Sequence, residues 1–294
     1  MVTLVQAIHI LGDTLSYDYS FEHTDELINA LKVLRNSCNG DCAVADSFIA
    51  YAAVDLIVRL CHRIVIDRAL MGASIDRDGD GYYRDDHSIV LLCSQVLANF
   101  SASGDKYRDH LFDTTTSTSS VRLSSTVDED KQPIFEALQY VLSAIVISNN
   151  RTALMVFVSM LYNCVHNSTE RCRRLCSHRE MLCPLLLGIF DKSGLLAVDG
   201  VATNSSRDDE LLQWYHMLSY AWYRNGMYST VFETVQSSRS SSGGAAIHEH
   251  RAGGCGPLQS VYADGVLPTG SVLPTHEQVL FMCASNFKVH SPDS

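Results

Sequence analysis

Three apolar stretches of the chain close on the same short pattern, Leu-x-Asn, at nearly constant spacing. The pattern occurs at Leu34-Arg35-Asn36, Leu97-Ala98-Asn99 and Leu161-Tyr162-Asn163, so successive asparagines are 63 and 64 residues apart. In each case a small or apolar residue and a polar turn follow, and another helical pattern then begins. A sequence motif that recurs at regular spacing is typical of stacked helical units, which bury their apolar faces against one another. The spacing therefore predicts a repeat architecture.

The segments between these motifs have helical periodicity. Leu27, Leu31 and Leu34 recur at three- and four-residue steps, which places them on one face of a helix. The polar turn at Gly40 predicts the end of that helix, and one long apolar helix is expected over residues 43–70. No segment shows convincing period-two alternation of apolar and polar residues. The predicted fold class is all-α, an armadillo-like α-solenoid of stacked helical repeats.

The predicted repeat domain covers residues 1–235, with loop insertions near residues 72–88 and 113–131. The first insertion is a charged run and the second is a Ser/Thr tract that cannot bury a core. A Gly/Ser-rich linker or insertion is expected at residues 236–274, and a C-terminal helix at 275–288.

Two further helix boundaries are predicted inside the repeat domain. The helical pattern after Thr169 is expected to break at Pro184 or shortly after Phe190, because proline disfavours a helix interior. A hinge near Asn225-Gly226 is expected to separate two more helices.

Charge and composition exclude several classes of function. The formal net charge of −11 gives no basic face for a phosphate backbone, so no nucleic-acid partner is expected. No run approaches about 18 uninterrupted apolar residues, so no membrane span is expected. The opening MVTLVQAIHILGD has no basic residue ahead of its apolar stretch, and it predicts a first helix rather than a secretory signal. Ten cysteines without such a signal indicate reduced thiols and a cytoplasmic protein.

The motif asparagines have two compatible interpretations. Each lies two positions after an inward leucine, about 200° around the helix, towards the opposite surface or a groove. A row of such side chains can bond the backbone of an extended partner peptide, or each can bond an inter-repeat loop and hold the turn. The residues predicted to bind a partner protein are Arg35, Asn36, Asn99, Tyr162 and Asn163.

The first repeat resembles a known family. ELINALKVLRNSCNGDCAVADSFIAYAAVDLIVRL resembles the first armadillo-like repeat of the ataxin-10 family, with its Leu-Arg-Asn-(Ala/Ser)-Cys core, polar turn and Val-Asp-Leu-Ile helix, here Val54-Asp55-Leu56-Ile57. LLCSQVLANFSASGDKYRDHLF is similar to the family's next repeat, and LMVFVSMLYNCVHNSTERCRRL to the helix after that. The likeness covers roughly residues 25–235, and the family's C-terminal Leu-x-Asn-Leu repeat is not seen. The resemblance implies a cytoplasmic scaffold without enzymatic activity, linked to cell division and cell survival.

The main competing chemistry is calcium binding. Asp76-Arg77-Asp78-Gly79-Asp80-Gly81 fits the opening of an EF-hand loop, with carboxylates at positions 1, 3 and 5 and glycine at position 6. The match then fails, because Tyr83 stands at position 8 and His87 replaces the bidentate Glu of position 12. A solvated acidic loop is the preferred interpretation. A calcium- or metal-responsive regulatory protein using the Asp76–His87 loop is the alternative function.

Other signals of site chemistry are weak. Cys172, Cys176, His178 and Cys183 lie close in sequence, but paired CxxC knuckles are missing, so core-facing cysteines are preferred and no metal site is predicted. No G-x-S-x-G, P-loop or strand-linked G-x-G-x-x-G motif occurs, so neither an enzyme nor a cofactor is predicted. The predicted function is a scaffold for other proteins, compatible with homo-oligomerisation.

Overall fold

A computed structural model gives the fold and describes residues 2–16, 24–71, 82–112, 134–192, 210–231 and 233–234. These residues form eleven helices of eight or more residues, and no strand occurs among them. The helices are α1 (Leu4–Ser16), α2 (Thr24–Ser37), α3 (Cys42–Ala50), α4 (Ala53–Met71), α5 (Tyr82–Ala102), α6 (Asp105–Phe112), α7 (Ile134–Ile147), α8 (Arg151–Val165), α9 (Thr169–Ser177), α10 (Arg179–Lys192) and α11 (Glu210–Arg224). The all-α prediction is confirmed for the described part of the chain.

Local chemistry accounts for the boundary between α2 and α3. Helix α2 carries Asp25 and Glu26 in its first turn and Arg35 in its last, which suits the helix dipole. Gly40 follows with a φ of +78°, which glycine adopts without steric strain. The carboxylate of Asp41 then caps α3 by accepting two backbone N–H groups at 2.9 and 3.3 Å. The predicted helix end at this polar turn is confirmed.

The chain divides into two compact units, Met1–Cys164 and Val165–Ser294. In the first unit, α1 packs on the neighbouring α2, and three pairs of helices from more distant parts of the sequence also pack together: α1 with α4, α4 with α7, and α2 with α5. The short helices α3 and α6, of 9 and 8 residues, each pack on the longer helix that follows them. The order long, short, long therefore occurs twice, over α2–α4 and again over α5–α7.

The motif leucines form part of the core of this first unit. Leu34, Leu97 and Leu161 are fully buried, as predicted. Beside them the rings of Phe48 on α3 and Phe100 on α5 stack with centroids 6.1 Å apart. These apolar contacts join helices that lie far apart in sequence.

In the second unit, α9, α10 and α11 pack against one another. Tyr215 and Trp222 are fully buried on α11, with their rings edge to face and centroids 6.3 Å apart. Helix α11 ends at Arg224, Gly226 has a φ of +68°, and helix resumes at residue 228. The predicted hinge near Asn225-Gly226 is confirmed.

The single long helix predicted over residues 43–70 is wrong. The chain turns between α3 and α4 at Ala52, whose φ of +52° is left-handed. This conformation costs an alanine about 1–2 kcal/mol. We attribute the break to tertiary packing, because it accompanies the burial of Phe48 against Phe100.

Two other boundaries also differ from the prediction. Of the two ends predicted for the helical pattern after Thr169, the one at Pro184 is wrong, because α10 runs through it, and the one shortly after Phe190 is confirmed, because α10 ends at Lys192. The pattern is also interrupted at His178, which separates α9 from α10. Around Pro184 the buried side chains of Leu182 and Leu185 offset the roughly 3 kcal/mol that an interior proline costs.

The loop was predicted over residues 72–88, but its C-terminal boundary is wrong because α5 already begins at Tyr82. The remaining loop residues, the Ser/Thr tract, the 236–274 linker and the 275–288 helix lie outside the described residues.

Candidate functional site

The predicted partner-binding residues lie at the ends of three helices. Asn36, Asn99 and Asn163 occupy the last turns of α2, α5 and α8. Asn36 is exposed, whereas Asn99 and Asn163 are half-buried, as are the neighbouring Arg35 and Tyr162. All five residues belong to the first unit.

Asn99 bridges two helices. Its Nδ2 donates a hydrogen bond to the backbone carbonyl of Arg35 at 2.8 Å, which ties α5 to α2 across 64 residues of sequence. That carbonyl lies in the last turn of α2, where helix carbonyls run out of intrahelical donors. The donor of Asn99 is therefore used inside the protein, in keeping with the structural interpretation of the motif.

The side chain of Arg35 is held by two neutral amides. Its Nε and Nη2 donate to the Oδ1 of Asn36 at 3.0 and 2.9 Å, and its Nη1 donates to the Oε1 of Gln95 at 3.1 Å. Gln95 lies on α5, one helical turn before Asn99, and was missed by the sequence analysis. The feature of the sequence that points to Gln95 is its four-residue step to Asn99, which places both side chains on one face of α5. Arg35, Asn36, Gln95 and Asn99 together are called the α2–α5 amide cluster below.

The charge at this cluster is not neutralised within the described chain. No carboxylate of the described residues lies within ion-pairing distance of the Arg35 guanidinium. Lys106 provides a contrast, since its Nζ lies 2.5 Å from the carboxylate of Asp46 on α3. The cluster therefore presents a half-buried cation held only by uncharged groups.

Tyr162 and Asn163 stand apart from this cluster. Each takes part in interactions of its own, but no hydrogen bond in the described part of the chain joins them to Arg35, Asn36 or Asn99. Three of the five predicted residues are thus brought together by hydrogen bonds, and two are not. The partner-binding role of all five stays a prediction.

The proposed calcium loop is only partly described. Positions 1–6, Asp76–Gly81, lie outside the described residues, and residues 82–87 form the first turns of α5. A helix that starts at Tyr82 directs the position-7 carbonyl towards an intrahelical bond, whereas an EF-hand needs it as a calcium ligand. His87 is exposed at position 12, and its carbonyl accepts a hydrogen bond from Asn150 Nδ2 at 2.9 Å. This geometry does not favour the alternative function.

Two cysteines of the Cys172–Cys183 segment lie in the core, whereas His178 and Cys183 are half-buried. Cys172 and Cys176 are fully buried on α9. A hydrogen bond between the two thiols lowers the pKa of Cys172 and raises the pKa of Cys176. Within the described ranges, no three His, Cys, Asp or Glu side chains are grouped so as to hold a metal ion. In the same residues, no helix is long and apolar enough to cross a membrane.

Comparisons of the chain with protein-family models, with curated proteins and with solved structures each find no match. The function is therefore argued from the α2–α5 amide cluster and the fold that positions it.

Proposed function

We propose that this chain is a non-catalytic scaffold that binds a segment of another protein across α2 and α5. The observation that carries the proposal is the α2–α5 amide cluster, in which side-chain amides and one cation occupy a partly exposed surface. Amides can both donate to and accept from a peptide backbone, so such a surface suits an extended chain.

We also propose that the helices build an armadillo-like α-solenoid. Interhelical hydrogen bonds recur at nearly the same sequence separation, which supports this proposal. Asn99 bonds Arg35 across 64 residues, Asn150 bonds His87 across 63, and the hydroxyl of Tyr107 bonds the carbonyl of Cys42 across 65. Bonds between corresponding positions of successive units are expected where each unit contacts mainly its neighbours.

The narrower assignment rests on the resemblance of the first repeat. On that basis the chain is proposed to be a cytoplasmic scaffold of the ataxin-10 type, acting in cell division or cell survival and compatible with homo-oligomerisation. The Leu-Arg-Asn-Ser-Cys segment at residues 34–38 and the Val-Asp-Leu-Ile segment at residues 54–57 support it. The comparisons neither extend nor contradict this assignment.

A capture experiment with matched variants tests the scaffold proposal. The full chain, an Asn36→Ala/Gln95→Ala variant and an Asp46→Ala/Lys106→Ala control are each used to capture proteins from a lysate for mass spectrometry. The control removes the ion pair between α3 and α6, and with it the hydrogen bond from Tyr107 to Asp46, without changing net charge. We expect partners that the wild type and the control retain and that the cluster variant loses. If the cluster variant retains every partner, the proposed surface is wrong.

A further inference from the structure

We infer that the guanidinium of Arg35 binds a carboxylate of the partner segment, the side chain of an Asp or Glu. The inference rests on the proposed function, because it names the chemistry that the α2–α5 amide cluster recognises. It goes further than that function in assigning one residue of the cluster to one chemical group of the partner.

The first argument is the fixed position of the guanidinium. An arginine has five N–H donors in a planar fork. Three of these donors are used, because Nε, Nη1 and Nη2 each donate one hydrogen bond to an amide oxygen of Asn36 or Gln95. One N–H on Nη1 and one on Nη2 are left over, and the half-buried side chain is already held in one orientation. A carboxylate that accepts from them meets a preorganised donor set, which reduces the entropy lost on binding.

The second argument is charge. The described chain supplies Arg35 with two neutral acceptors and no carboxylate at ion-pairing distance. A carboxylate adds a negative charge to the acceptor, which an amide oxygen does not, and it can pair with the arginine fork through two parallel hydrogen bonds. A single anionic side chain is therefore the ligand best matched to this position. A polyanion such as nucleic acid is disfavoured by the overall charge of −11.

The test uses a library of random nine-residue peptides displayed on phage, selected on the full chain and then measured singly by fluorescence anisotropy. We expect the selected peptides to share an Asp or Glu at one position. Arg35→Gln should weaken their binding by about tenfold to a hundredfold. Arg35→Lys should restore only part of this loss, because lysine keeps the charge but not the fork.

Two further variants separate recognition from charge and from folding. Lys32→Gln removes the same charge from an exposed position three residues earlier on α2, and it should weaken binding less than about threefold. Asn36→Asp places a carboxylate where the Oδ1 now accepts from Arg35. This isosteric variant should fold with a melting temperature close to that of the wild type, because the new ion pair with Arg35 offsets the unfavourable negative charge in the last turn of α2. It should lose peptide binding, because the guanidinium is then paired internally.

The outcomes separate a failure of the carboxylate assignment from a failure of the proposed function. Selected peptides without a shared acidic residue, or an equal loss with Arg35→Gln and Lys32→Gln, would overturn the carboxylate assignment. In that case the scaffold proposal stands if Asn36→Ala/Gln95→Ala still weakens binding. If the wild-type chain selects no peptide, or if that double variant binds the selected peptides unchanged, the proposed function fails and this inference fails with it.

Discussion

Replacing Asn99 with alanine removes the amide N–H that ties α5 to the last turn of α2. The same substitution at Asn36 removes a side chain of the same type from the corresponding position one repeat earlier. Asn99 is half-buried and donates to the Arg35 carbonyl at 2.8 Å, whereas Asn36 is exposed and its Oδ1 accepts only from the Arg35 side chain. The two variants therefore separate the structural use of the motif from its surface use.

The expected costs follow from these contacts. A hydrogen bond contributes about 0.5–1.5 kcal/mol net, and a partly buried carbonyl left without its donor adds to the loss. In both variants the higher helix propensity of alanine than of asparagine stabilises the helix by the same amount, roughly 0.6 kcal/mol, so this contribution cancels in the comparison. We expect Asn99→Ala to lower the free energy of unfolding by about 1–2 kcal/mol relative to Asn36→Ala. The corresponding difference in melting temperature is roughly 2–8 °C.

The measurement is urea unfolding followed by circular dichroism at 222 nm, with wild type, Asn36→Ala and Asn99→Ala compared at one protein concentration. We expect Asn36→Ala to remain within about 0.5 kcal/mol of wild type. Equal free energies of unfolding for the two variants would refute the reasoning, because the bridge to Arg35 would then contribute nothing to stability.

Three further predictions concern other parts of the chain. Burial is the largest cause, and the hydrogen bond to Asp46 the next largest, of the raised pKa of Tyr107, which is about 12. Its contribution to stability should be present below about pH 10 and be lost between about pH 10 and 12, and Tyr107→Phe should remove that alkaline loss in unfolding at stepped pH. Burial raises the pKa of the Cys38 thiol to about 11, so iodoacetamide should alkylate the exposed Cys42 before Cys38, as read by mass spectrometry. Pro184→Ala should raise the free energy of unfolding by about 1–2 kcal/mol, because it restores a backbone donor inside α10; a decrease would show that the ring packing matters more.

The sequence predicts the features that are determined locally. The periodicity of the apolar residues identifies the buried faces, and Leu34, Leu97 and Leu161 are indeed fully buried. Turn chemistry identifies helix ends where a residue favours one backbone conformation, as at Gly40 and Gly226. Both kinds of signal act within a few residues, so a single sequence contains them.

Features that depend on distant residues could not be predicted in the same way. Nothing near Ala52 in the sequence favours a left-handed turn. The four-residue step to Asn99 places Gln95 on the same face of α5, but it does not show that Gln95 meets Arg35, which lies 60 residues away in sequence. The two interpretations of the motif asparagines stayed open for the same reason, since only the packing of α2 on α5 shows where the Nδ2 of Asn99 donates.

The bond from Asn99 also separates the part that Arg35 plays in helix packing from the part that its side chain can play in recognition. Asn99 bonds the backbone of the middle residue of the preceding Leu-x-Asn pattern, and not its side chain. The backbone of Arg35 is thereby held independently of its side chain. The middle residue differs among the three motifs, being Arg35, Ala98 and Tyr162. At the α2–α5 contact the buried Leu34 and the Asn99 bridge hold the helices, so the side chains of Arg35 and Asn36 can change the ligand with little effect on this packing. A substitution at Arg35 should therefore alter recognition more than it alters the α2–α5 contact.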